Sequence, residues 1–380
     1  MSAPSVAASF TDRLRSAALM GAREYGGRTI LEPSQLFTSP SAPYYASPYR
    51  LKLHASWATV TAGFDAAPWR LWQDEAYPAY FQDASSWYAA PAYAAIPAES
   101  QQRGGSLLRG PGARKYPPPT PPPSGATAWQ RQRLVALAAS MVGYPYRRHH
   151  IPDWHPDASW YAGLALPSGD LVSQWIGQGV DCGDYASWLY SYGLGLYLDS
   201  NTHVQGGLWS TSPILDNNDG TATYRARKVD DALAAMNAGA GYRGAYSVLR
   251  NTLQTGDLLY IAGDTPATEI LALLKASETT ILSSLLTHVL VWLGDTGLSP
   301  DDRPLVTDSY SRGVVTDAKG AAIPDGIQIR PFSPPSTATP PATSTPPGQS
   351  SWYFDHFVWA QRILPARPGR TARRPTAPAI

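Results

Sequence analysis

Gly179-Val180-Asp181-Cys182-Gly183-Asp184-Tyr185-Ala186-Ser187-Trp188-Leu189-Tyr190-Ser191-Tyr192-Gly193-Leu194-Gly195-Leu196 holds the only cysteine of a 380-residue chain. Tyr185, Trp188, Leu189, Tyr192 and Leu196 recur at the spacing of one helix face, so the pattern predicts a helix over 181–195 with a buried aromatic stripe. Asp181 is a good N-cap, and Gly193 and Gly195 mark the end. Cys182 therefore falls in the first turn. There the positive end of the helix dipole and the unpaired backbone N–H groups favour thiolate over thiol. The same N–H groups are placed to hold an oxyanion. A single thiol forms no internal disulfide and builds no multi-cysteine metal site. Cys182 is either a small core residue or a nucleophile.

Working outward, a helix is expected over 129–142, with Leu134, Leu137, Ala138 and Met141 on one face and Gly143 and Pro145 ending it. Downstream come strand-like runs at 257–261, 287–293 and 305–309, with a helical patch at 270–286 between the first two. Residues 352–364, aromatic and β-branched, read as a strand returning to the domain. Helix first and strands afterwards makes an α+β domain. A thiolate nucleophile needs a base and a group to orient it. His288 opens one apolar strand, and Thr307-Asp308 lies within the next. Side chains alternate along a strand, so only one of that pair faces the base. Asp308 is chosen, because a carboxylate accepts the imidazole N–H and stabilises imidazolium.

Composition bounds the rest. With 30 basic and 29 acidic residues the chain lacks the basic excess of a nucleic-acid binder. No stretch reaches the ~18 consecutive apolar residues of a membrane span, so no stable membrane insertion is expected. The first 21 residues lack the unbroken apolar core of a secretory signal. As written, the chain reads as cytoplasmic, or as exported by a non-classical or specialised route. Two proline tracts, 117–123 and 331–348, hold 13 of the 36 prolines and read as extended linkers or surface excursions. The expected organisation is an aromatic-rich N-terminal region of unassigned role (1–116), a linker (117–125), a catalytic domain (126–365, with a surface insertion at 331–349) and a disordered tail (366–380). Residues 43–93 carry 13 aromatics, read as a small core or a packing surface, with a sugar- or peptide-stacking surface as the alternative. Arg50 to Ala55 alternates as one strand.

Several pieces then occur in a familiar order: Gly179-Val180-Asp181-Cys182 before an aromatic helix, Thr255-Gly256-Asp257-Leu258-Leu259-Tyr260, and Thr287-His288-Val289-Leu290-Val291-Trp292-Leu293-Gly294-Asp295. Upstream stand Val142-Gly143-Tyr144-Pro145-Tyr146 and Arg147-Arg148-His149-His150-Ile151-Pro152-Asp153-Trp154. This set resembles the NlpC-type, papain-like cysteine peptidases of the bacterial cell wall. The resemblance covers residues 126–365 and implies a papain-like fold, with a Cys182-bearing helix on an antiparallel sheet. It implies hydrolysis of peptidoglycan stem-peptide bonds by Cys182, His288 and a polar third residue. No metal or organic cofactor is implied. Tyr146, His150, Trp154 and Asp181 would line the substrate cleft. The departures are Gly183 where the family usually has Ser, the acidic Asp184 after it, and 106 positions between Cys182 and His288. Asp184 would oppose the thiolate if aimed at the sulfur, and complement the helix dipole if facing solvent. An acyltransferase on the same fold and a non-catalytic cell-wall-binding protein are the alternative readings. His149, His150 and His155, with Asp153 and Asp157, allow a weaker zinc reading. His356 is expected on the last strand in a structural role.

Overall fold

The computed structural model describes residues 22–25, 28–31, 45, 47–64, 116, 118–146, 179–196, 198, 202–207, 227–229, 241–311, 315–334 and 351–365. Among these the fold is a mixture of helices and antiparallel sheet. Three N-terminal strands, β1 (Ala22–Tyr25), β2 (Arg28–Leu31) and β3 (Arg50–Leu53), precede a helical turn, α1 (Trp57–Val60). Helix α2 (Ala126–Met141) leads to the cysteine helix α3 (Cys182–Leu194). Then follow α4 (Thr202–Gly207), β4 (Arg227–Val229), α5 (Gly241–Thr252), β5 (Leu258–Ile261), α6 (Ala267–Lys275), α7 (Thr279–Ser284) and β6 (His288–Trp292). The chain continues through β7 (Gly297–Leu298), β8 (Leu305–Tyr310), β9 (Val315–Thr316), β10 (Ala322–Ile323), β11 (Gly326–Pro331), α8 (Trp352–Asp355) and β12 (Phe357–Arg362).

Six strands form the central sheet in the order β11-β8-β6-β5-β12-β4, every pair antiparallel. Alternation along β5 and β6 divides the core in two. Leu258, Tyr260, Val289 and Val291 pack with Tyr185, Trp188 and Leu189 of α3. Leu259, Ile261, Leu290 and Trp292 pack on the other side with Ala245, Tyr246 and Leu249 of α5 and with the aromatics of α8. The cysteine helix is thus held against one face of the sheet, and α8 closes the other.

Helix α3 follows its sequence pattern closely. Asp181 caps it through a bond from the Asp184 N–H to Oδ1 at 2.9 Å, and Gly195 ends it in the left-handed region at φ 68°. Helix α2 does more than its pattern predicts. Leu134, Leu137, Ala138 and Met141 face α3 as expected. The opposite face is buried too: Val135, Ala136 and Ala139 share a core with Leu51 and Leu53 of β3 and Val60 of α1. Even Arg131 and Arg133 are buried, and their guanidinium groups donate to carbonyl oxygens of Pro365 (2.8 Å) and Val60 (2.8 Å). Strand β3 also pairs with β7, in a second sheet ordered β1-β2-β3-β7.

Three elements depart from their sequence reading. The helical patch at 270–286 is two helices, α6 and α7, because Ser277 takes φ 58° between them. Residues 352–355 form the helical turn α8 rather than strand, and only 357–362 pair in the sheet. A strand would send Trp352, Tyr353 and Phe354 to alternate faces, whereas the turn buries all three. His356 consequently lies at the turn ahead of β12, not on the strand. Pro331 and Phe332, expected at the start of the proline-rich excursion, are the end of β11 and a buried core residue. Residues 335–350 and 366–380, and the aromatics between 65 and 93, lie outside the described residues.

Candidate active site

The start of α3 is bolted to the sheet by backbone. Gly143 N–H donates to Ile327 O (2.7 Å) and Ile327 N–H to Tyr144 O (2.8 Å), adding one rung at the edge of β11. Val180 N–H then donates to Pro145 O at 3.0 Å, and the Ser309 hydroxyl of β8 donates to Val180 O at 2.6 Å. Glycine is required at position 326. Its φ is +91°, and a Cβ there would stand 2.2 Å from Tyr144 O. These bonds set Cys182 beside β8 and β6.

Strand alternation does the sorting within β8. Thr307 points to α3, where the Tyr185 hydroxyl meets its Oγ1 at 3.0 Å. Asp308 points the other way, and its Oδ2 lies 2.7 Å from His288 Nε2. Of the pair, Asp308 is the one that meets the imidazole, and Thr307 meets Tyr185 instead. An ionised carboxylate only accepts, so Nε2 carries the proton toward Asp308, and Nδ1 is the nitrogen that Asp308 does not engage. The Cys182 side chain lies near enough to the imidazole for its charge to act on it. All three groups are withdrawn from solvent, with Cys182 7%, His288 4% and Asp308 0% exposed.

Burial alone would drive His288 toward the neutral form. The Cys182 charge and the bond to Asp308 outweigh it, and the imidazole pKa is raised from 6.5 to about 9. Asp308 is affected in the opposite sense. Burial pushes its carboxyl up, but the Arg330 guanidinium and His288 hold it below the ordinary carboxylate range. The sign for stability follows from His288. Contacts that favour imidazolium contribute fully below pH 6.5 and fade as the pH rises through about 9. The stability difference between wild type and His288→Gln, from urea unfolding, is expected to be largest near pH 6 and to shrink by pH 10.

The sequence missed two residues that touch this site. Arg330 of β11 pairs with Asp308 Oδ1, and the Tyr353 hydroxyl of α8 donates to Oδ2 at 2.7 Å. Gly326-Ile327-Gln328-Ile329-Arg330 does alternate as a strand, a signal obscured by the proline tract that follows. Nothing in the sequence marked Tyr353, because it fell in a stretch read as strand.

Asp181 is half-buried and serves as the cap of α3. Tyr146 is half-buried, directly after the Pro145 carbonyl that holds Val180. Asp184 is buried, so the solvent-facing alternative does not apply to it. His150 and Trp154, with the rest of the possible zinc cluster, lie outside the described residues. His356 is fully buried, its Nδ1 lies 3.0 Å from Trp352 O, and burial lowers its pKa. Asp257 of the Gly-Asp-Leu piece is structural. It ties the start of β5 to Arg362 of β12 at 2.6 Å and accepts from Gln254 N–H at 2.8 Å. Among the described residues no three His, Cys, Asp or Glu side chains are grouped to hold a metal ion. No helix among them is long and apolar enough to cross a membrane. No family model matches the chain, and neither a curated protein nor a solved structure does.

Proposed function

We propose that the protein is a papain-like thiol hydrolase of the NlpC type that cuts peptidoglycan stem peptides at an amide bond involving D-glutamate or the diamino acid. The observation that carries the reading is the relay itself. Cys182 sits at a helix N-terminus, its charge acts on the nearby His288, and His288 Nε2 is 2.7 Å from Asp308. The substrate class rests on the resemblance of the Asp-Cys, Gly-Asp-Leu and His-Val pieces, in that chain order, to cell-wall peptidases.

The residues divide the chemistry as follows. Cys182 thiolate attacks the amide carbonyl carbon and forms a tetrahedral oxyanion. The N–H groups of Cys182 and Gly183, first in the helix and without intrahelical acceptors, are available to stabilise it. Imidazolium at His288 gives its proton to the leaving amine as the carbon–nitrogen bond breaks, leaving a thioester. Neutral His288 then takes a proton from water, the hydroxide attacks the thioester, and Cys182 thiolate and a carboxylic acid are released. Asp308 orients the imidazole throughout and stays ionised.

The test is digestion of purified muropeptides followed by mass spectrometry. Products gaining one water across a single stem-peptide amide are expected. Muropeptides returned intact under conditions where Cys182 is reduced and the protein folded would contradict the reading.

A further inference from the structure

In a Cys–His–carboxylate relay the carboxylate is often treated as the end of the chain, but here two further groups act on it. Arg330 takes Asp308 Oδ1, and the same guanidinium donates to Pro324 O at 2.9 Å and Gly326 O at 3.1 Å. Those two carbonyls belong to the turn entering β11, beside the Gly326 that meets Tyr144. The rotamer of Asp308 is thus fixed from the backbone that also places the start of α3. Oδ2 receives two donors, His288 Nε2 and the Tyr353 hydroxyl, each at 2.7 Å. Burial, and then the Asp308 charge, raise the Tyr353 pKa well above 10, so the phenol keeps its proton and remains a donor.

We propose that Arg330 and Tyr353 are positioning residues of the relay: Arg330 pins Asp308 so that Oδ2 meets the imidazole, and Tyr353 shares that oxygen and damps its pull on the proton of His288. This rests on the thiol-hydrolase reading above. The physical reason is a conflict between two steps. A buried carboxylate with no other partner would hold the imidazolium tightly, which favours the thiolate but slows delivery of that proton to the leaving amine. Spreading the Asp308 charge over a guanidinium and a phenol weakens the hold without releasing the ring. The other groups facing the imidazole are Cys182 from α3, Tyr310 from β8 with ring centroids 4.9 Å apart, and Trp352 from α8 at 6.2 Å. Tyr353 itself stacks on the ring at 6.3 Å with an interplanar angle of 14°, so its ring holds the imidazole plane while its hydroxyl holds the acceptor.

Tyr353→Phe keeps the ring and deletes the hydroxyl, which separates the two roles. The experiment follows the His288 imidazole by NMR across a pH titration of the full chain, together with kcat and KM on a stem peptide and a thermal melt. For Tyr353→Phe the His288 midpoint is expected to rise by about half a unit or more, since Oδ2 is no longer shared. The kcat is expected to fall about tenfold, with KM within about threefold. Arg330→Lys keeps a charge but loses the fork, and a kcat loss of about tenfold or more is expected there too. A folded Tyr353→Phe whose midpoint is unchanged or lower overturns the proposal, even if its melting temperature drops, because a merely structural hydroxyl would move only the melt. The titration needs no substrate. A midpoint that rises in a protein inert toward every stem peptide would support the shared-acceptor arrangement while sinking the hydrolase reading.

Discussion

Replacing Cys182 by alanine is expected to lower kcat/KM on stem peptides by on the order of 10⁵-fold or more, with the fold retained. The size follows from the proposed mechanism. Without the sulfur no thioester forms, and what remains is binding and the two N–H donors at the start of α3, which serve a nucleophile that is no longer there. The structural cost is small, because the change deletes one buried heavy atom from a residue that is 7% exposed, about 1 kcal/mol. The cap is untouched, since Asp181 receives the Asp184 N–H independently of the sulfur. Steady-state kinetics beside a urea melt separate the two effects. A variant that kept a tenth of wild-type activity would remove Cys182 from the chemistry.

Asp308→Ala is expected to damage both function and stability. Asp308 is fully buried and accepts from three side chains. Removing it strands the Arg330 guanidinium, 2% exposed, without its counter-charge, and leaves the Tyr353 hydroxyl without its acceptor. Breaking one partner of a buried ion pair costs about 3–5 kcal/mol, measurable as a shift in the urea midpoint. Activity should fall ~10³–10⁴-fold as His288 loses the group that fixes its tautomer. The double variant Asp308→Ala with Arg330→Met removes both charges, and should recover part of the stability while leaving activity lost. Recovery of both would mean that Asp308 serves the fold alone.

The sequence and the structure agree most where the relevant signal is local. The stripe of Tyr185, Trp188, Leu189 and Tyr192, the Asp181 cap and the Gly195 stop are all written within one segment, and α3 spans 182–194. That only one of Thr307 and Asp308 faces the base follows from strand alternation, another local rule, and the two side chains do face opposite sides. What escaped the sequence depends on distant partners. The second buried face of α2 exists because Leu51, Leu53 and Val60 cover it from about 80 residues upstream. The burial of Arg131 and Arg133 depends on carbonyl acceptors at Pro365 and Val60, far away in sequence. Likewise the aromatic run at 352–354 has the composition of a strand. Its helical turn is decided by packing on α5, β6 and β8, which propensity does not encode. Arg330 and Tyr353 were invisible for the same reason, each being defined by a carboxylate on another strand.

The central claim, that Cys182 is a nucleophile driven by His288, is most directly tested by trapping the covalent intermediate. Wild-type protein mixed with a stem peptide, quenched in acid within the first turnovers and digested for mass spectrometry, should carry the acyl half of the substrate as a thioester on the peptide containing Cys182. His288→Ala should show no adduct under the same quench. Turnover of the peptide with Cys182 unmodified at every quench time, or an adduct on a different residue, would contradict the account.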